Sequence, residues 1–192
     1  MIIKELFGEI HLKIVYFGPG LSGKTTNLEK LHEKLGPACC GKLASIKTRE
    51  DRTLYFDFMQ LKIGKINGLT PKFNIYTVPG QTYYKATRQL VLVGVDGIVF
   101  VADSQLDRMD DNIKSFNDLK RFINEMGKTF NDIPVILQCN KQDLETALEP
   151  EDMQAKLSAN GMPNFSAIAI EGKGVFETLR DIIVRVGRKL ET

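Results

Sequence analysis

Along the chain, short apolar runs alternate with longer stretches in which apolar positions recur every three or four residues. The runs Leu12–Phe17, Leu54–Ile63, Phe73–Val78, Gly97–Asp103, Pro134–Gln138 and Ser166–Ile170 predict six strands. Asn67-Gly68, between the second and third, suits the left-handed residues of a tight hairpin, so that pair is expected to be antiparallel. Helical spacing covers Thr25–Leu35, Asp110–Met126 and Val175–Leu190, and a shorter helix, Glu151–Leu157, starts after Pro150. Strands alternating with helices predict an α/β fold: a six-stranded, mostly parallel sheet with one antiparallel edge hairpin, flanked by helices. Ile2–Gly8 reads either as an extra N-terminal strand or as a loose tail. Gly36–Thr53 has no clear period, and its Gly, Pro and Cys content predicts a mobile loop. With no repeat and no linker, residues 1–192 are expected to form one domain.

Composition changes this picture mainly by exclusion. Hydrophobic residues make up 43% and charged residues 26%, as in ordinary globular proteins. The 26 basic and 24 acidic residues leave a net charge of +2, which gives no case for a nucleic-acid-binding surface. Three cysteines, with Cys39 and Cys40 adjacent, do not form a disulfide framework and are expected to be idle thiols. Apolar runs fall far short of the ~20 residues a bilayer requires. Met1-Ile2-Ile3-Lys4-Glu5 is not a signal peptide, Ile2 excludes myristoylation, and Leu190-Glu191-Thr192 carries no prenylation cysteine. A cytoplasmic protein without a lipid anchor is expected.

The first predicted strand runs into Gly18-Pro19-Gly20-Leu21-Ser22-Gly23-Lys24-Thr25, a G-x-x-x-x-G-K-[ST] motif with a strand before it and a helix after it. Such a loop curls so that successive backbone N–H groups meet phosphate oxygens, and the following helix adds its positive end. The predicted cradle is Gly18, Gly20, Leu21, Ser22, Gly23, Lys24, Thr25 and Thr26. Lys24 would reach the β- and γ-phosphates, and the Thr25 hydroxyl would bind Mg²⁺. About 115 residues on, a buried strand ends in Asn140-Lys141-Gln142-Asp143. Asp143 can accept both the N1–H and the exocyclic N–H of guanine, a donor pair that adenine lacks. Asn140 would hold the base edge and the loop, and the Lys141 stem would cover the ring.

Both motifs, in this order, resemble those of the small Ras-like GTPases along nearly the whole chain. Closer still, Pro19–Leu28, Arg52-Thr53-Leu54, Thr77-Val78-Pro79-Gly80-Gln81 and Glu171–Glu177 resemble the MglA family, bacterial GTPases associated with gliding motility and cell polarity. The resemblance implies a P-loop GTPase fold. It also implies a switch that binds GTP and GDP with Mg²⁺, hydrolyses GTP slowly alone, and moves its loops between states. It assigns Thr53 to Mg²⁺, beside Thr25, and to the γ-phosphate in the GTP state only, Gly80 to the γ-phosphate, and Gln81 to the attacking water. Gly20 matches the glycine whose enlargement obstructs hydrolysis, while Ala169 and Ile170 would meet the guanine oxygen through backbone N–H groups. The implied partners are a roadblock-fold MglB-like dimer that accelerates hydrolysis and effectors of the GTP form. The chain alone is expected to be monomeric, with polar clustering through partners.

Two positions depart from the pattern. Thr77 stands where a carboxylate usually holds Mg²⁺ through water, and Asp103 is one candidate substitute. Ile170 replaces a usual Thr or Ser, which matters less for backbone contacts. Arg52, beside Thr53, reads as an arginine finger supplied from within the chain, a group worth about 10³–10⁵ in rate, with Arg49 the rival and a solvated charge the plain alternative. Tyr83 and Tyr84 either face a partner or pack beneath the loop. Two functional rivals stand beside the GTPase: a GTP-gated polarity scaffold that does not turn over, and a P-loop kinase, which needs an acceptor lid that the sequence lacks.

Overall fold

The computed structural model describes residues 2–4, 8–46, 56–62, 64, 68–80 and 84–189. Among the described residues eight strands form one sheet: β1 (Ile2–Lys4), β2 (Glu9–Phe17), β3 (Ala44–Ile46), β4 (Phe56–Lys62), β5 (Thr70–Thr77), β6 (Gly97–Asp103), β7 (Val135–Asn140) and β8 (Asn164–Ala167). Their order is β3-β4-β5-β2-β6-β7-β8, with β1 paired antiparallel to the start of β2. All six predicted strands are present, parallel except for the β4–β5 pair. The last lies slightly earlier than predicted. β1 is the extra N-terminal strand. β3 falls inside the stretch predicted to be a loop, where it pairs antiparallel with the edge of β4. Three residues are too few to show a hydrophobic period in the sequence. Asn67 and the part of Gly36–Thr53 beyond β3, residues 47–53, lie outside the described residues.

Burial follows from sheet position. The outer half of β2 alternates, with Glu9, His11 and Lys13 partly exposed, and from Ile14 onward, where β5 and β6 flank it on both sides, every residue is buried. β6 and β7 are buried throughout, as expected of central parallel strands covered on both faces. Helix α1 (Lys24–Cys39) and α5 (Val175–Arg188) cover one face, where Leu28, Leu31, Leu179 and Ile182 pack on Ile14, Val99 and Ile136. On the other face α2 (Lys85–Leu92), α3 (Met109–Glu125) and α4 (Pro150–Lys156) bring Leu92, Phe116, Phe122 and Met153 onto Phe17, Phe100 and Leu137. Each such side chain, fully buried, contributes about 1.5–3 kcal/mol. Regular helix in α1 stops at Gly36, whose φ of 68° breaks it before Pro37, in keeping with the predicted end at Leu35. Among the described residues no helix is long and apolar enough to cross a membrane.

Helix α2 was not predicted, and Arg88 explains why. Its buried stripe is Arg88, Val91 and Leu92, while Leu90 is exposed, so the apolar period is broken by a charged residue. Arg88 is 1% exposed, with its guanidinium 4.3 Å from the Phe17 ring centroid. It donates to Ser115 Oγ at 2.9 Å and to Asp118 Oδ2 at 3.2 Å, joining α2 to α3.

Candidate functional site

The carboxyl ends of β2, β5, β6 and β7 lie along one edge of the sheet, where open α/β folds bind ligands. From the end of β2 the chain enters Gly18–Gly23 and then starts α1 at Lys24. Leu21 has φ 64° and Gly23 has φ 95°, the left-handed conformations by which the loop curls. Gly23 is required for a second reason: a Cβ there would lie 2.2 Å from the Asn140 amide nitrogen. Lys24 is buried, and its ammonium donates to the carbonyls of Gly18 at 3.1 Å and Pro19 at 2.5 Å. Burial pushes its pKa down to about 7, the nearby Arg88 charge acting the same way and Asp57 opposing it. Beyond β5, Gly80 rests on the loop so closely that a Cβ would come within 2.3 Å of Gly20 Cα. Arg108 closes the rim, donating to the Gly20 carbonyl at 3.1 Å.

Thr77 is not left without a carboxylate. In the β4–β5 register Phe58 pairs with Tyr76, so Asp57 stands opposite Thr77. The Asp57 N–H donates to Thr77 Oγ1 at 2.8 Å, and Thr77 Oγ1 donates back to Asp57 Oδ2 at 2.9 Å. The same oxygen accepts the Thr25 hydroxyl at 2.7 Å. Asp57 is 8% exposed. The threonine predicted to hold Mg²⁺ and an acidic oxygen therefore meet directly. Asp103 does not fill this place, because its carboxylate binds Lys141 Nζ at 2.6 Å and Gln105 Nε2 at 3.0 Å. Sequence reading missed Asp57, although a signal was present: it occupies an inward position of an alternating strand, in phase with Met59 and Leu61.

Asn140, 2% exposed at the end of β7, joins the two halves of the site. Its Nδ2 donates to the Ser22 carbonyl at 2.8 Å, and its Oδ1 accepts the Ala169 N–H at 2.8 Å. That Ala169 N–H was expected to meet a base; here it is engaged, so a base oxygen must share or displace this bond. Lys141 takes φ 70°, an uncommon conformation for a side-chain-bearing residue, and Asp103 holds its ammonium. A pocket of about 240 Å³ opens here, lined by Leu21, Gly23, Thr26, Asn140, Lys141, Asp143, Leu144, Ala169 and Ile170. Asp143 is exposed at its mouth. Predicted phosphate and base residues are thus contiguous. Arg49, Arg52, Thr53, Gln81 and Tyr83 lie outside the described residues, and Tyr84 directly precedes α2.

A phosphate-loop helix start joined by Asn140 to a strand-end pocket at the β7 and β8 edge narrows the possible relatives, and comparison decides among them. The model of the ADP-ribosylation factor family matches residues 1–185. The chain belongs to that family. It is also similar to the mutual gliding-motility protein MglA of Myxococcus xanthus (strain DK1622), 48% identical over 174 residues, which is 91% of this chain and 89% of that protein. Membership in this group of Ras-like GTPases makes the chain a guanine-nucleotide-binding protein of the switch class.

Proposed function

We propose that this protein is a magnesium-dependent GTP/GDP switch that hydrolyses GTP to GDP and phosphate, slowly alone and faster with a roadblock-fold MglB-like dimer, in the service of cell polarity or gliding motility. The observation that carries the reading is the Asn140 side chain bridging Ser22 and Ala169, which makes one site of the phosphate loop and the base pocket. In this reading Gly18 to Thr26 hold the phosphates, and Asn140, Lys141, Asp143, Ala169 and Ile170 hold guanine. Gly80 meets the γ-phosphate.

The donors facing the phosphate loop fit Mg²⁺. They are hard oxygens, a hydroxyl and a carboxylate, of the kind that Mg²⁺ takes alongside waters and substrate phosphates. Thr25 and Asp57 would hold it, with Thr53 joining in the GTP form, and it would supply neutralising charge for the nucleotide's phosphate oxygens. The protein's own part is positioning and charge: Lys24 toward the β- and γ-phosphates, Gln81 toward the attacking water, Arg52 as the finger. The rival reading, a GTP-gated scaffold without turnover, would be favoured by a metal site degraded at Thr77, and it loses support because Asp57 bonds both Thr77 and Thr25.

Single-turnover hydrolysis of bound GTP, with and without a roadblock-fold dimer, tests the proposal. Slow intrinsic turnover, strong stimulation, and loss of stimulation in Gln81→Leu and Arg52→Ala with nucleotide affinity retained are expected. Absence of stimulation in the parent protein would favour the scaffold, and equal stimulated rates in parent and variants would refute the roles of Gln81 and Arg52.

A further inference from the structure

Beneath the Asn140 bridge lies a second, fully buried one. Gln138, two residues earlier on β7, donates through Nε2 to Asn27 Oδ1 on α1 and to Thr178 Oγ1 on α5, each at 3.0 Å. All three residues are 0% exposed. Asn27 in turn donates to the Gly23 carbonyl at 2.9 Å, and Thr178 to the Gly174 carbonyl at 2.6 Å. Gly23 closes the phosphate loop, and Gly174 opens α5 shortly after the Ala169–Glu171 turn. One side chain therefore spans the helices that follow the two halves of the site.

Stability does not explain this amide. Gln138 shares its face of β7 with Ile136, in a layer otherwise filled by Leu28, Leu31, Leu179 and Ile182. Its Oε1 is buried without a partner among the described residues, a penalty that an alkyl side chain of similar size avoids. What hydrogen bonds supply and alkyl contacts do not is direction. Packed alkyl groups tolerate sliding and rotation between helices, whereas a doubly donating amide fixes which group faces which.

We propose that Gln138 is a positioning residue for nucleotide specificity, fixing α1 against α5 so that phosphate contacts and base contacts are made in one geometry. The inference rests on the reading of Asn140–Asp143 and Ala169–Ile170 as the base site. Gln138 contacts neither half of the ligand in that reading. Its loss therefore weakens the coupling between the halves and leaves each half's own contacts in place.

The test is Gln138→Leu in the full chain, stripped of nucleotide. Affinities for GDP, for inosine diphosphate (which lacks the exocyclic amine) and for magnesium pyrophosphate are measured beside the melting temperature of the nucleotide-free protein. Melting retained or raised, pyrophosphate affinity unchanged, GDP affinity down roughly tenfold and a narrowed GDP-over-IDP preference are expected. Thr178→Val removes one of the two acceptors with little change of shape. It gives the same pattern at smaller amplitude, and it carries the test should Gln138→Leu not fold. Equal losses for GDP and pyrophosphate, an unchanged GDP-to-IDP ratio, or unchanged GDP affinity would each overturn the proposal. Asp143→Asn, run alongside, separates the two levels of the argument. If GDP affinity survives that change, the base-site reading itself fails; if GDP affinity falls there while Gln138→Leu is silent, only the positioning role fails.

Discussion

Replacing Asp57 by asparagine removes one charge at nearly constant volume. One carboxylate oxygen takes both the Thr25 and Thr77 hydroxyls, at 2.7 and 2.9 Å. A hydrogen bond to a charged acceptor contributes about 1.5–3 kcal/mol and a neutral one about 0.5–1.5, so neutralisation costs roughly 1–1.5 kcal/mol for each hydroxyl that stays. The Asp57 N–H bond to Thr77 Oγ1 is untouched, which keeps the β4–β5 register. For a bound Mg²⁺, loss of a supporting carboxylate is expected to weaken affinity about 10–100-fold. The assay is release of a fluorescent GDP analogue as free magnesium is titrated from chelator to excess. The magnesium midpoint in Asp57→Asn should move up by that factor, while release in chelator matches the parent, because the metal is then absent from both. Asp103→Asn, whose carboxylate holds Lys141 instead, should leave the midpoint alone. An unchanged midpoint in Asp57→Asn, or a shifted one in Asp103→Asn, would refute the assignment.

Lys24 makes a pH prediction. With a pKa of about 7 in the free protein, it is largely neutral at pH 8, and phosphate oxygens favour its charged form, so binding GDP at pH 8 should take up about one proton. Calorimetry in buffers of different ionisation enthalpy reads this directly; GDP affinity should fall as pH rises above 7, and zero uptake would contradict it. The same shift bears on folding. Between about 7 and the ordinary 10.5 the unfolded chain binds more protons than the folded one, so this group makes the nucleotide-free protein more stable as pH rises through that window. Gly80→Ala places a Cβ 2.3 Å from Gly20 Cα and N, both backbone, and should cost about 1–3 kcal/mol, lowering the melting temperature by roughly 2–10 °C. Gly20→Ala, which meets nothing closer than 3.8 Å, should melt like the parent and lose partner-stimulated turnover.

The legible parts of this molecule are those whose determinants are local. Gly18 to Thr25 specify their own curl, and Asn140 to Asp143 sit at the end of a strand that a continuous apolar run announces. Asp57 was hidden because it meets Thr25 across the sheet through β5, and only the β4-β5-β2 strand order creates that meeting. Thr77 therefore looked like a loss of function when its partner simply sits one strand over. Arg88 hid a helix for a different reason: a guanidinium buried on Phe17 and tied to Asp118 reads in sequence as a solvent-facing charge. β3 was invisible because edge pairing by three residues is a property of the neighbouring strand. Gln138 enters the sequence reading only as the last residue of a predicted strand, and its role as a bridge comes from α1 and α5, which meet it from distant parts of the chain.

The measurement that bears most directly on the guanine-nucleotide reading is the relative affinity of the parent and Asp143→Asn for GDP and xanthosine diphosphate. Two hydrogen bonds from guanine to the carboxylate contribute about 3–6 kcal/mol together, so losing them weakens GDP on the order of 10²–10⁴-fold. The base of xanthosine diphosphate carries a carbonyl where guanine has the amine, which matches an asparagine amide, so its affinity should rise in the variant. That exchange of preference is the predicted result. GDP binding that survives Asp143→Asn unchanged, with no gain for xanthosine diphosphate, would contradict the assignment of this pocket to guanine.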